Sequence, residues 1–103
     1  MEIETHESGD THKYLAWDDW GSRVVGSATL HDGEEPVLLK EISISRRLRG
    51  DGLGSKLLRR IMNDFEGSTI EAEVFEARLD WYRRHGFEVV EEMDQLFRIR
   101  RSA

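Results

Sequence analysis

Along this chain the apolar positions run at strand spacing, then at helix spacing, then at strand spacing again. Over residues 11–17 and 23–30, β-branched and aromatic residues flank the turn-forming Trp20-Gly21-Ser22, which predicts an antiparallel hairpin. A second turn, His31-Asp32-Gly33-Glu34-Glu35-Pro36, leads into a strand over residues 37–45. Its second half alternates, with Ile42 and Ile44 on one face and Glu41, Ser43 and Ser45 on the other. Beyond Arg46-Arg47-Leu48-Arg49 and the glycines at 50, 52 and 54, the residues Leu53, Leu57, Leu58, Ile61, Met62 and Phe65 recur at helical spacing. Gly67 suits the cap of that helix, and residues 69–75 read as the next strand. Strand, glycine turn, helix and strand make a βαβ unit, so one pair of strands should be parallel and the sheet mixed. A short helix over 77–85 is stopped by Gly86, and strands over 87–93 and 96–100 close the chain as a hairpin. Residues 1–10 carry one aliphatic residue among acids and glycine, and read as a flexible lead-in or a short edge strand.

A length of 103 residues allows one domain, here 11–103, with a modest core that hides roughly 60–65% of the unfolded surface. Hydrophobic residues at 38% and charged residues at 35% indicate a globular chain with a heavily charged surface. A net charge of -6 disfavours duplex nucleic acid and favours cationic partners. Cysteine is absent, so there is no disulfide, thiolate nucleophile or thiolate metal site, and cytoplasm is the expected compartment. The acidic opening residues form no signal peptide or membrane span. The histidines lack ligand spacing, so no metal is implied, and His85 beside Gly86 reads as a charge at a helix C-terminus.

The chemistry is concentrated in Arg49-Gly50-Asp51-Gly52-Leu53-Gly54-Ser55, between a strand and a helix start. Free backbone N–H groups and the helix dipole favour an anion there, and glycines let a pyrophosphate approach the main chain. Arg49 adds a bidentate phosphate donor. A diphosphate site of this kind has several possible owners. A P-loop needs Lys directly after its last glycine, whereas Ser55 separates Gly54 from Lys56. A dinucleotide fingerprint needs Gly-x-Gly-x-x-Gly, whereas the spacing here is Gly-x-Gly-x-Gly.

The segment resembles the acyl-coenzyme A signature of the GNAT acetyltransferase superfamily, Arg/Gln-x-x-Gly-x-Gly/Ala, as Arg49-x-x-Gly52-x-Gly54. A second signature of that family, an aromatic-Tyr pair running into Gly-Phe, is met by Trp81-Tyr82 and Gly86-Phe87. The resemblance covers roughly residues 23–100 and implies an α+β fold: a mixed, mostly antiparallel central sheet with a βαβ acyl-CoA-binding unit and few helices. It also implies that the central strands splay apart, that backbone groups of Ile42, Ser43 and Ile44 hold the pantetheine arm, and that Gly50, Asp51, Leu53 and Ser55 join the motif residues around the pyrophosphate. Family members usually begin with helices that wall the acceptor site, and this chain has no room for them before Thr11, so the acceptor cleft should be open. The loop that often carries a pantetheine-binding asparagine is shortened to Phe75-Glu76-Ala77.

The implied activity is transfer of an acetyl group from acetyl-CoA to an amine, on a protein or a small polyamine-like molecule, by a monomer or homodimer. A lysine-like amine has a pKa of about 10.4 and must first lose a proton. Glu41 is the candidate base, with a solvated or salt-bridged strand glutamate as the alternative. A backbone N–H freed by the splay would stabilise the oxyanion. Tyr82 stands where the family often keeps a tyrosine acid for the leaving thiolate, the alternative being an aromatic at the rim of the core. Arg46 and Arg47 reach toward the cofactor's ribose phosphate or are solvated charge, and Trp17, Trp20 and Trp81 line an acceptor pocket or pack the core. A competing reading is a non-catalytic module of this fold that binds CoA or a protein partner; very small members of the superfamily occur among phage proteins that disable host defence.

Overall fold

The computed structural model of the chain describes residues 2–48, 50 and 52–103. Strands β1 (Glu2–Ser8), β2 (Thr11–Trp17), β3 (Val24–His31), β4 (Val37–Ile44), β5 (Ile70–Val74), β6 (Glu88–Glu92) and β7 (Phe97–Arg101) form one sheet in the order β1-β2-β3-β4-β5-β7-β6. The first four make an antiparallel meander, β4 and β5 are parallel, and β7 lies antiparallel between β5 and β6. The crossover from β4 to β5 carries helix α1 (Leu53–Asp64), and a 3-10 turn (Glu76–Arg78) runs into the short helix α2 (Leu79–Arg83) after β5. The sheet is thus mixed and mostly antiparallel, as the sequence pattern predicts. Among the described residues no helix is long and apolar enough to cross a membrane.

Register sorts the strand residues onto two faces. Thr5, Tyr14, Ala28 and Ile42 form one cross-strand row, and His6, Lys13, Thr29 and Glu41 form a row on the opposite face. The first face is the core. Leu57, Leu58 and Ile61 of α1 are fully buried there with Leu30, Val37 and Ile70, and Leu79, Tyr82 and Phe87 join the same cluster. Each such aliphatic side chain contributes about 1.5–3 kcal/mol relative to exposure. Both helices therefore pack on one face, and among the described residues no helix covers the other. That open face is held by ion pairs: the buried Glu71 of β5 accepts a hydrogen bond from Arg100 Nε of β7 at 2.7 Å.

Two details depart from the sequence pattern. Gly67 does not cap α1: Phe65 does, donating its N–H to Ile61 O, because its ring packs into the core edge-on to His12. Gly67, left-handed at φ 90°, lies in the turn that follows. The second departure is a bulge in β4. Thr29 pairs with Glu41 but Leu30 pairs with Leu39, which leaves Lys40 as an extra residue.

Candidate active site

The bulge shapes the centre of the sheet. Only Val37 and Leu38 of β4 pair with β5, opposite Ile70 and Glu71. Beyond Leu38 the two strands diverge, and β4 has no further β5 partner among the described residues. Two clefts lie along the diverging part of β4 and share Ile42 and Arg78.

The larger cleft, about 470 Å³, runs from Ile42, Ser43 and Ile44 to the glycine turn. Gly50 and Gly52 adopt φ 95° and 79°, a left-handed backbone that other residues enter at a cost of about 1–2 kcal/mol. Gly52 is the N-cap of α1; it offers no side-chain cap, and the first turn of the helix holds no acid. The N–H groups at this helix start are therefore left for an outside anion. Gly54 is small for a packing reason: a Cβ there would lie 3.3 Å from Trp81 Cζ2 and 3.5 Å from Ile44 Cγ1. Ser55 lines the same cleft, and Ala77, Arg78 and Trp81 form its far wall. Of the sequence-predicted cofactor residues, Leu53 is set apart: its side chain is buried with Ala16 and Val25. Arg49 and Asp51 lie outside the described residues.

The smaller cleft, about 200 Å³, lies between the splayed strands. From β4 it receives Lys40, Glu41 and Ile42, from β5 Ala72, Glu73 and Val74, and from the helical side Arg78 and Tyr82. Glu41 and Glu73 belong to the open face and Tyr82 to the covered one, so the cleft reaches through the sheet. Glu41 is exposed; Tyr82 is 5% exposed. The Tyr82 ring is fixed by edge contacts to Trp81 and Phe87, with centroids 4.8 and 5.4 Å away. Its hydroxyl has no hydrogen-bond partner among the described residues. Burial pushes that hydroxyl above its ordinary value near 10, and the charge of Arg78 opposes the rise. The side chain is thus a protonated donor throughout the neutral range.

The structure brings the two catalytic candidates, Glu41 and Tyr82, to one cleft, and sets Ile42, Ser43 and Ile44 beside the glycine turn in the other. Ile42 and Arg78 line both. Trp81 walls the larger cleft, and its carbonyl accepts a 2.8 Å bond from His85 Nδ1 at the end of α2. Trp17 and Trp20 are elsewhere, in a separate cleft of about 280 Å³ with Asp18 and Asp19. Among the described residues no group of His, Asp and Glu side chains is gathered to hold a metal. Sequence reasoning missed Arg78, Lys40 and Glu73. The bulge at Lys40 alone has a sequence signal, since the apolar positions change phase between Leu39 and Ile42.

The family model described as acetyltransferase (GNAT) domain matches residues 9–89. No curated protein matches the chain by sequence. Among solved structures, Escherichia coli ElaA superposes with a TM-score of 0.77 at 22% identity, over 92% of this chain and 70% of that one. An acyl-CoA N-acyltransferase from Pseudomonas aeruginosa gives 0.78 at 25% identity, over 92% and 70%. The PaiA N-acetyltransferase of Thermoplasma acidophilum, in complex with coenzyme A, gives 0.78 at 19% identity, over 91% and 62%. The chain is therefore shorter than each of these structural relatives.

Proposed function

Because this chain belongs to the GNAT acetyltransferase family, we propose that it transfers an acetyl group from acetyl-CoA to an amine by direct attack in a ternary complex. The observation that carries the reading is the meeting of two clefts at Ile42 and Arg78, one ending on the glycine turn and the other holding Glu41 and Tyr82. The diphosphate is assigned to the helix start at Gly52 and Gly54, together with Arg49. The pantetheine arm is assigned to the edge of β4 along Ile42, Ser43 and Ile44. An amine of either class, peptidyl or polyamine-like, enters the gap between β4 and β5. Glu41 at the mouth takes a proton from the ammonium, directly or through a water. The nitrogen lone pair then forms the C–N bond, the C–S bond breaks with its electron pair left on sulfur, and Tyr82 delivers a proton to that sulfur. The proton shed by the new amide nitrogen restores Tyr82 through solvent.

The test is release of free thiol from acetyl-CoA against a panel of amines, with acetyl-CoA affinity measured by calorimetry. Tyr82→Phe should lower kcat by roughly 10²–10⁴-fold and leave affinity for acetyl-CoA nearly intact. Glu41→Gln should lower kcat most at neutral pH and least in alkali, where amines shed their own proton. Equal turnover by the native chain and Tyr82→Phe removes the tyrosine from the mechanism. Binding without turnover of any amine favours the non-catalytic module instead.

A further inference from the structure

Neutral reactants become charged during this reaction, and among the described residues one cation, Arg78, lines both clefts. Arg78 ends the 3-10 turn after β5; its backbone is held by its N–H bond to Phe75 O at 2.9 Å, and its side chain is exposed. Arg78 lines the cleft of the glycine turn and the cleft of Tyr82 alike, as Ile42 does. It pairs with no carboxylate among the described residues, whereas Arg60, Arg83, Arg98 and Arg100 each do. A cofactor descending one cleft and an amine entering the other bring the reacting carbon to this junction.

On the acetyl-transfer reading, we infer that Arg78 is a further catalytic residue, whose guanidinium stabilises the negative charge gathering on the thioester oxygen and then on the sulfur as the C–S bond breaks. Guanidinium keeps its charge at every working pH and offers forked donors to two atoms at once. A positive group already in place when charge develops costs no reorganisation. The same charge acts on Tyr82, countering part of the effect of burial on its hydroxyl. The other charged groups on that cleft are Lys40 and Glu41 from β4 and Glu73 from β5, and Glu73 is drawn to Arg98 at 3.4 Å. Helix α1 adds apolar side chains, Leu57, Leu58, Ile61 and Met62, to the core that Tyr82 shares. Among the described residues, Arg78 is thus the cation common to the Tyr82 cleft and the glycine-turn cleft.

Arg78→Gln and Arg78→Lys separate this role from others, with circular dichroism to check the fold. Arg78→Gln should lower kcat by about 10²–10³-fold with the KM for acetyl-CoA unchanged, and Arg78→Lys should recover part of the loss. A second readout needs no substrate. The chain has two tyrosines, so in a Tyr14→Phe background the phenolate absorbance reports Tyr82 alone, and adding Arg78→Gln should move its titration to higher pH. A raised KM with unchanged kcat would make Arg78 a cofactor anchor and overturn the proposal. So would unchanged kcat together with an unmoved titration. If the native chain turns over no amine, the acetyl-transfer reading fails and takes this role with it; turnover indifferent to Arg78 overturns this role alone.

Discussion

Both tyrosines sit in one core, yet their hydroxyls face different fates. Tyr14 Oη donates to Asp64 Oδ2 at 2.8 Å, and Arg60 Nε holds that carboxylate at 3.0 Å, so β2 is tied to the last turn of α1. Tyr82 has no such partner. Burial raises both hydroxyls, and the Asp64 carboxylate raises Tyr14 further. In the unfolded chain both ionise near pH 10. Above that pH the folded chain holds these two protons more tightly than the unfolded one, so the tyrosines' contribution to stability should be level below pH 10 and fall as pH rises beyond it. Urea midpoints across that range check the slope. Tyr14→Phe should cost about 0.5–1.5 kcal/mol at neutral pH and flatten the alkaline fall; a slope unchanged by this substitution would show that other groups cause it. At this scale the sequence was legible where residue type is restrictive. Gly52 must be glycine to turn left-handed before a helix, and Tyr82 stands in a recognisable aromatic-Tyr…Gly-Phe frame. Arg78 was not legible, because an arginine within Ala77-Arg78-Leu79-Asp80 reads as surface charge until the fold sets it between two clefts.

Elements were largely readable from period: α1 from its apolar stripe, β2 and β3 from the runs around Trp20-Gly21-Ser22, and β4 from the alternation at 41–45. The end of α1 was not, because the buried Phe65 outweighs the preference for a glycine cap. Nor was the extent of the splay, which depends on one residue. In β4, Val37 and Leu39 face the core at odd positions, and Ile42 and Ile44 face it at even ones. Lys40 absorbs the change of phase. Removing it leaves an unbroken alternation of Val37, Leu39, Ile42 and Ile44, with Leu39 still opposite Leu30 and Glu41 still opposite Thr29. The deletion variant should therefore fold, with a thermal midpoint at least as high as that of the native chain. It should also straighten β4, narrow the gap to β5, and lower turnover by about a hundredfold through misplaced reacting groups. Full turnover in the deletion variant would show that the bulge does not set the site.

At the scale of the whole molecule, helices cover one face of the sheet and leave the other open, with the smaller cleft passing between them. The rows that flank the cleft on the open side, with the bulged Lys40, carry Glu4, Glu41, Glu73 and Glu91 against Lys13, Lys40 and Arg98, within a chain of net charge -6. An acidic open face around a narrow entrance concentrates cations before they touch the protein, and it does so through long-range attraction that salt removes. At about 0.15 M ionic strength the Debye length is about 8 Å, against about 30 Å at 0.01 M, so distant acids act on an approaching amine only at low salt. For an acceptor with several positive charges, kcat/KM should fall roughly tenfold across that range, while kcat, which on the proposed mechanism depends on Tyr82 and Arg78 inside the gap, should stay constant. An acceptor with a single charge should respond less. If both respond equally, the open face does not steer acceptors; if kcat itself falls, salt is acting on the chemistry at the junction rather than on the approach.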